Sequence, residues 1–139
     1  MSHSYEFVRY KDGKSDGIDQ ESLRAVLERY NFEGVNLVEG ANEIPTPIDK
    51  DTGDSPFGDY LLLTVEIDRV TCVSIIRPRY QEQFRLFSFD LVFGLGLVMF
   101  SDNGEALYSR SDVSKHLPAD FPSQFGFVNL AVTSVAQMP

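Results

Sequence analysis

Asp49, Asp51 and Asp54 crowd around Gly53 in the run IDKDTGD, an oxygen-rich turn of the kind in which a hard cation such as calcium gathers ligands. The spacing does not complete an EF-hand: counting from Asp49, the sixth position is Asp54 where a glycine is needed, and the twelfth is Tyr60 where a bidentate glutamate is needed. The three aspartates therefore read as part of a solvated acidic loop, and no metal is assigned to them. Cys72 has no basic or histidine neighbour in sequence to favour the thiolate a nucleophile requires, so it reads as a small buried core residue. His116 would act as a general base only beside a nucleophile and an orienting acid, which nothing in the sequence supplies, and His3 lies in a terminus expected to fray. Gly94-Leu95-Gly96 lacks the third glycine and the preceding strand of a dinucleotide fingerprint. Arg69, Arg77, Arg79 and Arg85 form a local basic stretch whose simplest role is to answer the acidic loop from within the chain. No catalytic residue, metal site or cofactor is expected, and the chain reads as a non-enzyme.

The elements around these residues follow from hydrophobic periodicity. Residues 5–10 alternate as a first strand. Leu23, Val26, Leu27 and Tyr30 fall at the spacing of one helix face, with Asp19 as N-cap, Ile18 and Leu23 as a hydrophobic staple, and Gly34 just beyond the end. A short strand is expected at 35–38. Residues 39–59 then read as an exposed acidic loop broken by Pro45, Pro47 and Pro56. Residues 60–67 and 70–76 are β-branched and aliphatic around Asp68-Arg69, a hairpin of two largely buried strands. The stretch to residue 95 alternates in part like a strand, but its opening run of Gln, Glu, Arg and Leu favours a helix with Pro78 in the first turn and Tyr80, Phe84, Phe87 and Leu91 on one face. A second hairpin is expected from 95–100 and 105–109 around Ser-Asp-Asn-Gly, and a last strand at 126–135 with Val128, Leu130 and Val132 inward. Eight of the eleven phenylalanines lie from Phe84 onward, so the later half is expected to supply much of the core. The fold class is α+β: one domain spanning 1–139, with a mixed or antiparallel sheet of hairpins and two helices packed on it.

The 139 residues carry a formal net charge of −9, with 42% hydrophobic and 24% charged residues. Such a chain folds, and its surplus of acid excludes a general phosphate-backbone binder. One cysteine and two histidines exclude a disulfide scaffold and a zinc finger. No repeat, low-complexity tract, secretory apolar run or membrane-length segment is visible, so the expected location is the cytoplasm, without membrane or direct nucleic-acid contact.

The passages RYQEQFRLFSFDLVFGLG and LVMFSDNGEALYS, an aromatic helix running into an apolar strand and an acidic turn, resemble the small acidic immunity proteins of bacterial toxin systems. The resemblance implies a cytoplasmic inhibitor that neutralises a cognate toxin, or another protein with a basic surface, by direct binding. The matching surface is expected in the acidic loop: Glu39, Glu43, Asp49, Asp51, Asp54 and Asp59 would steer the partner, and Phe57, between Pro56 and Gly58, would stand exposed among them as an aromatic anchor, the alternative being that it folds back onto the core as a plug for the loop. Two alternatives use the same residues differently: an acidic mimic of nucleic acid, or a small enzyme or ligand-binding domain whose site is assembled from distant positions.

Overall fold

Alternating burial along the strands builds the sheet. In a computed structural model that describes residues 3–33, 35–101, 106–118 and 128–139, the elements run β1 (Ser4–Val8), β2 (Tyr10–Lys11), β3 (Lys14–Ser15), β4 (Ile18–Asp19), α1 (Gln20–Arg29), β5 (Gly40–Pro45), β6 (Tyr60–Glu66), β7 (Arg69–Ile76), α2 (Glu82–Phe89), β8 (Val98–Ser101), β9 (Ala106–Ser109) and β10 (Val128–Ala131). The main sheet has the order β10-β9-β8-β1-β7-β6-β5, with β4 also on β7. The neighbours are antiparallel except β10, which is parallel to β9. Tyr5, Phe7, Leu61, Leu63, Val73 and Ile75 point to one face and pack against Leu23, Val26 and Leu27 of α1 and Phe84 and Phe87 of α2 in the main core. This is the expected α+β fold: two helices on a mixed, mostly antiparallel sheet.

The first helix begins as its sequence dictates: Asp19 Oδ2 accepts from the Ser22 backbone N–H at 3.0 Å, and Ile18 and Leu23 are both buried. Its end differs from expectation. Asn31 takes the left-handed conformation at φ 67, while Asn31 N bonds Glu28 O and Phe32 N bonds Leu27 O. This Schellman closure stops the helix at Arg29, five residues before Gly34, which lies outside the described residues, and drives Phe32 into the core.

No strand forms at 35–38. The Asn42 side chain accepts from Val38 N at 2.9 Å and donates to Val38 O at 2.8 Å, satisfying locally the groups a ladder would need. The strand forms instead at Gly40–Pro45, inside the stretch expected to be loop, and the proline is tolerated because it ends an edge strand.

The β6–β7 hairpin turns one residue earlier than the expected Asp68-Arg69, through Ile67 (φ 50) and Asp68 (φ 63), both in the positive-φ conformation that two-residue hairpin turns require and Asn-Gly supplies at least cost. Ile67 adopts it although β-branched and 86% exposed. Replacing the pair, Ile67→Asn with Asp68→Gly, is expected to raise stability by about 1–2 kcal/mol. Urea unfolding measures it, and an unchanged or lower midpoint would show that Ile67 carries packing that its exposure denies.

Contrary to expectation, residues 77–81 do not wind into a helix with Pro78 in its first turn and Tyr80 on its inner face, because Arg79 N donates to Phe57 O at 2.9 Å and holds this stretch over the loop. The helix starts at Glu82 and widens into one π-type turn over Asp90–Gly94. Asp90 there accepts from the Tyr30 hydroxyl and from Arg29 Nη1, so the end of α1 is tied to the end of α2.

The expected exposure of Phe57 is overturned: it is 1% exposed. Its ring lies 5.2 Å from Phe32, 5.5 Å from Phe87 and 6.1 Å from Tyr30 by centroids, closing an aromatic cluster beneath the loop. Gly58 permits this, since a Cβ there would meet Ile76 O at 2.9 Å. Wholly buried phenylalanines therefore come from the whole chain, Phe7 and Phe57 as well as Phe84 and Phe87.

The strands of the second hairpin pair as expected, Met99 with Tyr108 and Phe100 with Leu107; its turn, with Asp102, Asn103 and Gly104, lies outside the described residues, as do 126 and 127 of the expected last strand. Leu130 is 39% exposed while Val132 is buried, so the two do not share an inward face, because β10 ends at Ala131. No described helix is long and apolar enough to cross a membrane.

Candidate functional site

The residues expected to form one acidic loop are distributed along the outer edge of the sheet. Because β5 intervenes, Glu39 and Asp49 stand at opposite ends of a strand that spans roughly 17 Å at ~3.3 Å per residue. Glu39 sits by the β6–β7 turn, where Oε1 accepts from Ile67 N at 3.0 Å. Glu43 is exposed in the middle of β5, paired in register with Leu62, beside a shallow cleft of about 330 Å³ shared with Pro45, Asp59 and Tyr60.

Beyond β5 the chain makes a closed turn. Asp49 N donates to Asp54 O, Gly53 N donates to Asp49 O, and Asp49 Oδ1 accepts from Asp51 N at 2.9 Å. These bonds occupy the Asp49 carboxylate with its own backbone and leave Asp51 and Asp54 facing water. Among the described residues no three His, Cys, Asp or Glu side chains converge as a metal shell would.

Asp59 is not free to meet a partner: Arg79 Nη2 is 2.9 Å and Arg77 Nη1 3.4 Å from its carboxylate. Arg69 Nη2 donates to Gly17 O at 3.0 Å. Arg77 and Arg79 thus answer an acid of the 39–59 stretch, as expected, whereas Arg69 is spent on a backbone carbonyl before α1.

Sequence reasoning missed three acids and the apolar residues between them. Glu66 and Asp68 flank the exposed tip of the hairpin, and exposed Glu33 borders a cleft of about 560 Å³ with Asn31, Pro45, Ile48 and Lys50. Val38, Ile48 and Ile67 are 65%, 64% and 86% exposed. The hairpin tip was legible as a turn, but only the edge position of β5 brings it into line with Glu39 and Glu43.

The other reactive groups are held in structural contacts. Cys72 lies half-buried on the face of the sheet away from the helices, a correction to its expected place in the core. Its thiol donates to Glu6 Oε2 at 3.3 Å; burial first, then the Glu6 charge, push its pKa up to about 12, which keeps it protonated and unreactive at neutral pH. Ser4 Oγ and Ser74 Oγ donate to the same carboxylate. His3 is ordered rather than frayed, its Nε2 2.9 Å from the Tyr80 hydroxyl and its carbonyl accepting from Arg77 N. His116 Nδ1 accepts from Asp12 N at 3.2 Å and lies 3.5 Å from the Asp12 carboxylate, and among the described residues no hydroxyl or thiol is placed against it as a nucleophile. No family model, curated protein or solved structure matches this chain.

Proposed function

We propose that this protein is a protein-binding inhibitor without catalytic activity, most specifically a cytoplasmic immunity protein that neutralises a cognate toxin by covering a basic surface. The observation that carries the reading is the acidic rim along the β5 edge: Glu39, Glu43, Asp49, Asp51 and Asp54, extended by Glu33, Glu66 and Asp68 and interrupted by exposed Val38, Ile48 and Ile67. Charge of one sign spread over a sheet edge attracts a basic partner over roughly a Debye length, about 10 Å at moderate salt, and orients it before contact. The apolar residues within the rim offer anchors that become dry on docking. Ile67 takes the part expected of Phe57: it is braced from below by the Glu39 carboxylate on its own N–H and by Gln20 Nε2 on Asp68 O at 2.9 Å, so little ordering is left to be done on binding.

The test takes the protein encoded beside this one, if it carries a toxin domain, and measures association by stopped flow. Glu43→Lys combined with Glu66→Lys should slow association roughly tenfold at low salt and flatten its salt dependence, leaving thermal stability unchanged. Association that ignores both reversals while the complex still forms would move the interface away from the rim, and no complex at all would sink the inhibitor reading.

A further inference from the structure

Away from the acidic rim, at the far side of the sheet, a cleft of about 170 Å³ opens between the β2–β3 hairpin and the segments around Gly96 and Arg110. Three cations, Arg9, Lys11 and Arg110, line it together with Tyr10 and His116, against the single lining carboxylate of Asp112. In a chain of net charge −9 this is the reverse of the prevailing field. We propose that the cleft is a binding site for a small, multiply charged oxyanion: inorganic phosphate or the phosphate group of a small ester.

The carboxylates around it orient the cations without exhausting them. Arg110 Nε and Nη2 rest on Asp112 at 2.6 and 3.2 Å, and Nη1 donates to Phe93 O at 2.7 Å. A guanidinium has five N–H donors, so two remain. Arg9 meets Asp16 through Nε at 3.4 Å, which leaves its terminal nitrogens. Gly96, at φ 69, lets the Arg110 guanidinium lie against the backbone, where a Cβ would stand 3.1 Å from Nη2.

Lys11 has no carboxylate partner among the described residues, and the register sets it directly opposite Lys14. Like charges facing each other across a two-residue ladder are unfavourable, and a local rule broken at a cleft is where a ligand is expected to supply the compensation. His116 also lines the cleft, its Nδ1 3.2 Å from the Asp12 backbone N and 3.5 Å from the Asp12 carboxylate, so that the hairpin turn holds the ring at the cleft wall. The volume is below the ~300 Å³ at which sites for drug-sized ligands begin, which limits the occupant to a phosphate-sized group.

Inorganic phosphate, ribose 5-phosphate and acetate, each titrated into the full chain at low salt with amide shifts as readout, decide the matter. Saturable binding of either phosphate, centred on Lys11, Gly96 and Arg110 and weakened at least about fivefold by Lys11→Gln or Arg9→Gln but not by Lys50→Gln, would establish the site. Equal affinity for the two phosphates assigns it to the free ion, and preference for the sugar phosphate to an ester. Because Lys11→Gln relieves the repulsion with Lys14, its melting temperature should not fall, which separates lost binding from lost folding. No saturation by about 50 mM, acetate binding as well as phosphate, or indifference to both variants would reduce the cleft to an internal network of ion pairs.

Discussion

Phe57→Ala is expected to lower stability by about 3–5 kcal/mol, the cost of emptying a fully buried phenylalanine site. The ring is enclosed by Tyr30, Phe32 and Phe87, contributed by the C-cap of α1, the second residue beyond it and α2, and so the cavity has no single flexible wall that could collapse into it. A loss of this size is a large part of the 5–15 kcal/mol typical of a domain, roughly, so the variant should melt far below the parent or fail to fold. Phe57→Leu, which keeps most of the apolar volume, should fold and cost roughly 1–2 kcal/mol. Equilibrium unfolding in urea reads both, and a Phe57→Ala loss under about 1 kcal/mol would mean that the ring is not the plug beneath the loop.

Asp90→Ala is expected to cost about 2–3 kcal/mol, because it removes the acceptor shared by Tyr30 and Arg29 and leaves a partly buried hydroxyl unsatisfied. Tyr30→Phe, which deletes the donor and nothing else, should cost about 1–2 kcal/mol. In a double-mutant cycle the two losses should fall short of additivity, since both break the same bond; full additivity would show that Asp90 acts chiefly through Arg29. Burial first, and then the hydrogen bond and the charge of Asp90, raise the Tyr30 pKa above its ordinary value. A raised folded-state value contributes stability that is fully present below the unfolded tyrosine pKa of about 10 and is lost as pH rises through the folded one. The Tyr30 contribution should therefore be flat through neutral pH and decline only in strong alkali.

Where local signals agreed with one another, the sequence was sufficient. Asp19, Ile18 and the Leu23, Val26, Leu27 face determined α1 because capping, staple and 3.6-residue spacing all act within a few residues of each other. The β6–β7 hairpin was legible for the same reason, from two β-branched runs at hairpin spacing. The opening run of Gln, Glu, Arg and Leu correctly outweighed the competing strand-like alternation and placed Phe84, Phe87 and Leu91 on a helix, although Tyr80 fell outside it. The helix end was misplaced because Asn31 and Gly34 compete as left-handed residues, and the choice between them is made by the core that receives Phe32.

The fold class, the acidity of residues 39–59 and the absence of a recognisable catalytic motif were thus determined by composition and period alone. The tertiary structure decided what those acids do. Strand β5 exists because Gly40–Pro45 finds β6 beside it, a pairing that no local preference in a glycine- and proline-containing stretch encodes. Once formed, it separates Glu39 from Asp49, sets Glu39 beside Glu66 and Asp68 at the hairpin tip, and leaves Asp59 to Arg77 and Arg79. Phe57 was misjudged for the same reason: its neighbours Pro56 and Gly58 describe a turn, while its burial depends on Phe32 and Phe87, 25 and 30 residues away in the chain. Exposure is a property of what packs against a residue, and packing partners distant in sequence are set by the whole fold's free energy rather than by the local pattern.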